Sequence, residues 1–342
     1  MNGLLEEIGS NIRFKAIVAD DGGTPEGGLK AVTTLVEANG VQVIAGPAMS
    51  SVTLGLKSYV DTHHIAVVTT TVSSPALSVK DYIFRMWASD KLQGWAMADV
   101  AMHLGIQKAV VFYRDDLAAT AISEVFQEHF KGEIKTIRIT PGQADYSSEV
   151  AQLNREVEAF GADERTGVVE YIQEAEMANV LGHVKEYPSL SKVKLVGGDV
   201  ITLAGILPPK SPPELGDFMI QVKAVGTTAH YISTPAGDRF LSKLKERMGA
   251  EPTMYALYMY DAANVAMRSV LLAGKYDGEA IAKAIPSVCE HYYGATGWKL
   301  LDDVGDLVTQ DYDIVMLFKE PEGFRWRPVG IWSAVSGLSM TE

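Results

Sequence analysis

Ser50, closing the run VQVIAGPAMSS, and Thr71 and Ser73, inside IAVVTTTVSSPAL, are the residues of this chain best placed to do chemistry. Each run is apolar and β-like, and each breaks into small hydroxyl residues where a helix is due to begin. Backbone N–H groups and hydroxyls then face one crevice, which suits an anion, and a carboxylate first of all. Ser50 and Ser73 read equally well as helix caps; the two roles are compatible, because the first amides of a helix remain available to a ligand.

Other chemistry is poorly supplied. There is no G-x-G-x-x-G, no G-x-x-x-x-G-K-[ST], no G-x-S-x-G and no H-E-x-x-H, so dinucleotide, nucleoside triphosphate, serine-hydrolase and zinc-protease chemistry lack their signatures. The expectation is a protein that is not an enzyme. Asp20-Asp21-Gly22-Gly23 lacks the further spaced oxygens of a calcium loop and reads as a turn ending a strand. His63-His64 and the Cys289, Glu290, His291 group have no second ligand pair at zinc spacing, so neither metal nor cofactor is expected. Tyr255, Tyr258 and Tyr260 lie on one helical stretch that suits a core, although the first and last are also candidates to reach a ligand.

The elements that must position these residues are legible as a rhythm. RFKAIVAD, VQVIAG, IAVVTT, KAVVFYR, EIKTIRI, TGVVEYI and VKLVGG read as strands. Between them Leu29/Val32/Leu35/Val36, Ile122/Val125/Phe126/Phe130 and Val150/Leu153/Val157/Phe160 recur at helical spacing. Strands alternating with amphipathic helices predict an α/β fold of parallel sheets covered on both faces. Thr24-Pro25 and Ser74-Pro75 mark helix starts, with a capping hydroxyl ahead of a proline in the first turn. After Pro208 the rhythm changes: ILPPKSPPELGD predicts a surface loop, followed by a β-like run and helices from about Ala236 to Met248 and Thr253 to Ala273. The stretch DYDIVMLFKEPEGFRWRPVGIWS predicts a hairpin around Glu322-Gly323.

Composition narrows the partners. The 342 residues, 47% of them hydrophobic, can bury a large core and suggest two domains. A net charge of −13 without a dense Lys/Arg cluster argues against nucleic acid. Cys289 is the sole cysteine, so no internal disulfide forms. No apolar run is long enough to span a bilayer, and MNGLLEEIGSN lacks the basic start and apolar middle of a signal peptide.

In their order, these motifs resemble the solute-binding proteins of branched-chain amino-acid ABC transporters, the leucine/isoleucine/valine type of periplasmic receptor. The resemblance rests on VADDGGTPEGGLKAVTTLVEANGVQVIAGPAMSS, VVTTTVSSPAL, IFRMWASDKLQG, KAVVFYRDD, KLVGGD, the Y-D-A of YMYDAANVA, and YYGATGWKLLDDVGD, spread over nearly the whole length. It implies a type I periplasmic binding protein fold: two doubly wound lobes joined by three crossing strands, closing like a hinge on a small ligand. Lobe 1 would comprise residues 1–87 and 224–310, and lobe 2 residues 88–223 and 311–342. By position, Ser50, Thr71 and Ser73 match the groups that hold the ligand α-carboxylate, and Asp199 matches the acidic residue that pairs with the ammonium. As a residue alone, Asp199 after glycine is also ordinary turn chemistry. Met49, Tyr113, Gln173 and Tyr255 complete the candidate ligand-binding set. The family's ligand-packing tyrosine, followed by glycine after the strand KAVVFYR, is replaced by Leu117-Ala118-Ala119, and Gln173 stands near an often aromatic position. Both changes shift the pocket away from the usual ligand.

The implied function is capture of a small amino acid or related carboxylate, outside the cytoplasm, for delivery to the membrane permease of an ABC importer. A ligand-sensing regulatory or receptor domain of the same fold is the alternative. In the resembling family a first strand precedes the helix whose end here reads MNGLLEEIGS and lies inside the lobe 1 sheet. The expectation is therefore that this strand is missing, that Met1 is not the natural start, and that some tens of residues carrying an export signal and a ligand-contacting loop precede it. The natural protein would be periplasmic or extracellular, with or without a membrane anchor.

Overall fold

The computed structural model describes every residue except 204–206, 208–210, 250, 251, 254, 309 and 342. Ile206, Pro208, Pro209 and Lys210 of the expected loop lie outside the described residues, and its last part, from Pro213, is helical rather than loop. The chain forms two compact units, Met1–Ser89 with Tyr231–Val308 and Asp90–His230 with Thr309–Glu342, and crosses between them at 89/90, 230/231 and 308/309.

In chain order, the first unit begins with α1 (Asn2–Glu7), α2 (Pro25–Glu37), β1 (Val43–Ala45), α3 (Ser50–His63), β2 (Ala66–Thr69) and β3 (Ile83–Arg85). The second contributes α4 (Asp90–His103), β4 (Lys108–Arg114), α5 (Leu117–His129), β5 (Glu133–Ile139), α6 (Ser147–Phe160), β6 (Thr166–Tyr171), α7 (Glu174–Val184), β7 (Lys194–Gly197), α8 (Pro213–Gln221) and β8 (Val225–Ala229). The chain returns to the first unit with α9 (Pro235–Met248), α10 (Tyr255–Ala273), α11 (Gly278–Glu290), β9 (Tyr293–Gly294) and β10 (Gly297–Trp298). It ends in the second with β11 (Tyr312–Glu320), β12 (Gly323–Ser333) and β13 (Gly337–Met340).

The first unit is built on a parallel sheet of order β1-β2-β3. Every residue of β2 is buried, and the pleat divides them between two cores. Val67 packs with Val32, Val52, Leu56 and Val60 of α2 and α3, whereas Ala66 and Val68 pack with Ala262, Val265, Ile281 and Ile285 of α10 and α11. That two-sided cover explains why the strand reads as an uninterrupted apolar run. Thr24 caps α2 by accepting a hydrogen bond from the Gly27 amide, and Ser74 accepts one from Ala76 to open a 3-10 turn at Pro75–Leu77.

RFKAIVAD does not form the expected strand. Among the described residues, 11–20 have no ladder partner, and Ile12, Ile17 and Val18 are exposed. Its alternation of residue types is that of a strand, but β structure also needs a neighbouring backbone and a face to pack against. The strands β1, β2 and β3 pair directly, with no gap among them.

The second unit carries an eight-stranded sheet of order β13-β12-β11-β8-β7-β6-β4-β5. From β8 to β5 it is parallel; β11 joins β8 antiparallel. Because β8 belongs to this sheet, the return to the first unit comes after His230 rather than at residue 224. Val150, Leu153, Val157 and Phe160 of α6 are all buried in the core over β4 and β5. The expected hairpin is β11–β12, turning through Pro321 and Glu322 between paired Glu320 and Gly323. Gly323 takes a φ of 126°, open to glycine and strained for other residues.

Candidate ligand-binding site

The parallel strands of the first unit send their carboxyl ends to one edge, and the hydroxyl turns stand there. Ser50 is the first residue of α3, and Met49 occupies the cap position without a side-chain cap. Ser50 is therefore not the cap of its own helix. Its Oγ instead accepts hydrogen bonds from the amides of Ser73 (3.3 Å) and Ser74 (3.2 Å), so one hydroxyl ties together the turns after β1 and β2. Thr71 Oγ1 donates to the Ala48 carbonyl at 2.9 Å, and the Thr70 amide donates to the Pro47 carbonyl at 3.2 Å. The Ser50 hydroxyl proton has no acceptor among the described residues. The first intrahelical bond of α3 runs from Thr53 to Met49, which leaves the amides of Ser50, Ser51 and Val52 ahead of the ladder. One free hydroxyl donor beside the positive end of a 14-residue helix is a place for an anion.

Arg85, buried at the end of β3, braces this edge. Its Nη1 donates to the Ser74 carbonyl (2.7 Å), Nη2 donates to Ser78 Oγ (2.7 Å), and its guanidinium is paired with Asp306. Two residues on, half-buried Trp87 packs its ring 4.6 Å from Tyr258 and 6.5 Å from Tyr255, centroid to centroid. Tyr255 opens α10 and is 50% exposed, and one turn later Met259 approaches Gly46 at the end of β1. Met49 lies over the turn at Gly23, whose amide donates to Asp21 Oδ1 while that of Gly22 donates to Asp20 Oδ1. Both aspartates thus serve the turn.

In the second unit Asp199 follows β7 and opens a 3-10 turn, Asp199–Thr202. Desolvation raises its carboxyl above the ordinary value, opposed by hydrogen bonds from its own amide, the Gln93 side chain and the Val200 amide. Glu170, near the end of neighbouring β6, is buried, and its Oε2 accepts from the Ile172 amide at 3.1 Å. Its Oε1 has no hydrogen-bond partner among the described residues. Desolvation, with the Asp199 charge adding to it, pushes this carboxyl up to about 8. Gly197 on β7 provides the space, since a Cβ there would overlap Glu170 Oε1.

Tyr113 and Gln173 are committed to neighbouring elements. Tyr113 is buried at the end of β4 with the Arg138 guanidinium 6.0 Å from its ring centroid. Gln173 is the cap residue of α7, and its amide donates to Glu176, which is also paired with Arg114 at 3.0 Å. Leu117 begins α5 and is exposed, with Asp116 capping the helix through the Ala119 amide.

A family model described as periplasmic binding protein matches residues 6–317. The chain belongs to the periplasmic binding protein family. An uncharacterised protein of Methanocaldococcus jannaschii is 26% identical, over 98% of this chain and 83% of its own length. Among solved structures, a leucine-binding protein of Thermotoga maritima superposes with a TM-score of 0.72 at 20% identity, covering 94% of this chain and 90% of its own. A solute-binding protein of an ABC transporter from Rhodopseudomonas palustris, solved with 3,4-dihydroxybenzoic acid, gives 0.70 at 18% identity, covering 95% and 88%. These neighbours share the type I fold, and the family is one of solute binders rather than enzymes. Among the described residues no helix is long and apolar enough to cross a membrane.

Two features of this periplasmic binding protein escaped the sequence reading. Arg85 and Asp306 both lie in motifs that carry the resemblance, IFRMWASD and DDVGD, yet their pairing spans 221 residues. The aspartate of the Y-D-A motif, Asp261, is fully buried and accepts from Tyr292 Oη (2.9 Å), the amides of Ala295 (2.7 Å) and Thr296 (2.9 Å), and Thr296 Oγ1 (2.6 Å). It organises the YGATG turn. No local signal distinguishes these groups from solvated ones.

Proposed function

We propose that this chain is the extracytoplasmic, solute-capturing component of an ABC importer, taking a small amino acid or related carboxylate and passing it to the membrane permease. The observation that carries this reading is the Ser50 hydroxyl, anchored by two loop amides with its proton unclaimed among the described residues, beside the uncapped start of α3. In this assignment Ser50, Thr71 and Ser73 receive the carboxylate, and Asp199 receives the ammonium. A zwitterion needs donors at one end and an acceptor anion at the other. Met49 and Tyr255 complete the proposed ligand-binding set in the first unit, and Tyr113 and Gln173 in the second. The two structural neighbours, one a leucine-binding protein and one solved with 3,4-dihydroxybenzoic acid, support a carboxylate as the shared chemical element.

Calorimetry tests the proposal on protein freed of co-purified ligand, titrated with the common amino acids and with aromatic carboxylates. Saturable heat with at least one of them is expected, and none at all would remove the reading. Breaking a buried charge pair costs roughly 3–5 kcal/mol. Asp199→Ala should therefore weaken an amino acid by about two orders of magnitude or more, and leave a carboxylate without an ammonium nearly unchanged.

A further inference from the structure

The carboxyl edge that bears the Ser50 turn also bears an aromatic surface for which the hydroxyl chemistry has no use. Trp87 comes two residues after β3, and Tyr255 begins the helix whose next turn reaches Gly46 at the end of β1. Tyr258, fully packed beneath, holds the indole from one side at 4.6 Å, and the Lys299 ammonium lies 5.4 Å from the centroid of the Tyr258 ring. The indole is thus fixed in orientation while remaining half-buried, and Tyr255 beside it is half-exposed. A half-buried indole and a half-exposed phenol, their rings inclined at 44° on a packed base, form an angled aromatic corner with little rotamer entropy left to lose.

Resting on the functional reading above, we propose that Trp87 is a specificity-determining residue: with Tyr255 it receives the ring of an aromatic carboxylate whose carboxylate is held by the Ser50 turn. Ring-on-ring contact favours flat ligands over branched aliphatic ones, because offset stacking and edge contacts add to the burial of area.

The test is calorimetry of the whole chain, stripped of ligand, with benzoate, phenylalanine and leucine, for the wild type, Trp87→Leu, Trp87→Phe and Tyr255→Ala. Wild-type protein should bind benzoate or phenylalanine at least tenfold more tightly than leucine; the arm that wins tells a simple aromatic acid from an aromatic amino acid. Trp87→Leu should weaken the ring-bearing ligand tenfold or more and change leucine by less than about threefold, with Trp87→Phe recovering most of the loss. Tyr255→Ala, at an exposed position, should give the same selective loss and guards against a folding defect at Trp87. Leucine as the tightest ligand, or equal losses for ring-bearing and ring-free ligands, would overturn the role of Trp87 while leaving the carboxylate receptor standing. Absence of heat with all three, and with the wider panel above, removes both.

Discussion

Glu170 is the residue whose environment conflicts most with its chemistry. An ordinary glutamate ionises near 4.5, but this one is held up to about 8 by burial. Between those values the folded chain keeps a proton that the unfolded chain has released, so stability should fall as pH rises from about 4.5 to about 8 and then level off. The whole window is worth on the order of 5 kcal/mol, since each tenfold step in proton affinity is about 1.4 kcal/mol. Glu170→Gln removes the titration: urea midpoints should rise relative to wild type at pH 8 and show much less difference at pH 5. Equal differences at both pH values would contradict the assignment. Lys299 acts in the opposite direction. Burial lowers its ammonium from 10.5 to about 8, so its penalty is relieved as pH rises through that higher range, above the window of Glu170.

At the scale of elements, the site depends on strand ends being held at fixed spacing, and Arg85 is the main brace. Arg85→Ala would leave Asp306 without its partner and the Ser74 carbonyl without a donor, both buried. Truncating one member of such a pair costs roughly 3–5 kcal/mol. Chemical denaturation should report that loss, and ligand affinity should fall further than for any change on α2, because the freed loop carries Ser73. A second element-level prediction concerns the β9 turn. An alanine Cβ at Gly294 would collide with Asp261 Oδ1, which accepts from Tyr292 Oη and the Ala295 amide. Gly294→Ala should destabilise by about 1–3 kcal/mol, seen as a lower thermal midpoint, whereas Gly182→Ala on α7, where a Cβ meets nothing within 4 Å, should not.

For the whole molecule, the decisive fact is that neither unit is a continuous stretch of chain. The final stretch supplies β11, whose Tyr312, Ile314, Val315 and Leu317 are buried, and β12, whose Trp332 donates through Nε1 to Asp99 at 2.8 Å. Removing residues 309–342 would strip β8 of its antiparallel neighbour and expose a sheet edge beside a broken core. Such a chain should lose protease resistance across 90–230 and aggregate, while fragments from 1–89 and 231–308 survive longer; uniform resistance would argue against the division. Ligand should act on the intact protein by mass action, at about 2.7 kcal/mol for a hundredfold excess over Kd.

Local periodicity sufficed for the order of most strands and helices after the first, because 3.6-residue and two-residue repeats are written within a dozen neighbours and decide which face can be buried. The positions of the hydroxyl turns, the hairpin and the caps at Thr24 and Ser74 were legible for the same reason. Tertiary structure alone decided that RFKAIVAD has no ladder partner, that β8 serves the second unit, and that Ser50 accepts from amides 23 and 24 residues away instead of capping its own helix. It alone joined Arg85 to Asp306 and buried Glu170 within reach of the Asp199 charge. Ladder pairing, ion pairing and desolvation depend on what the rest of the chain brings alongside a residue, and that is set by the packing of distant segments.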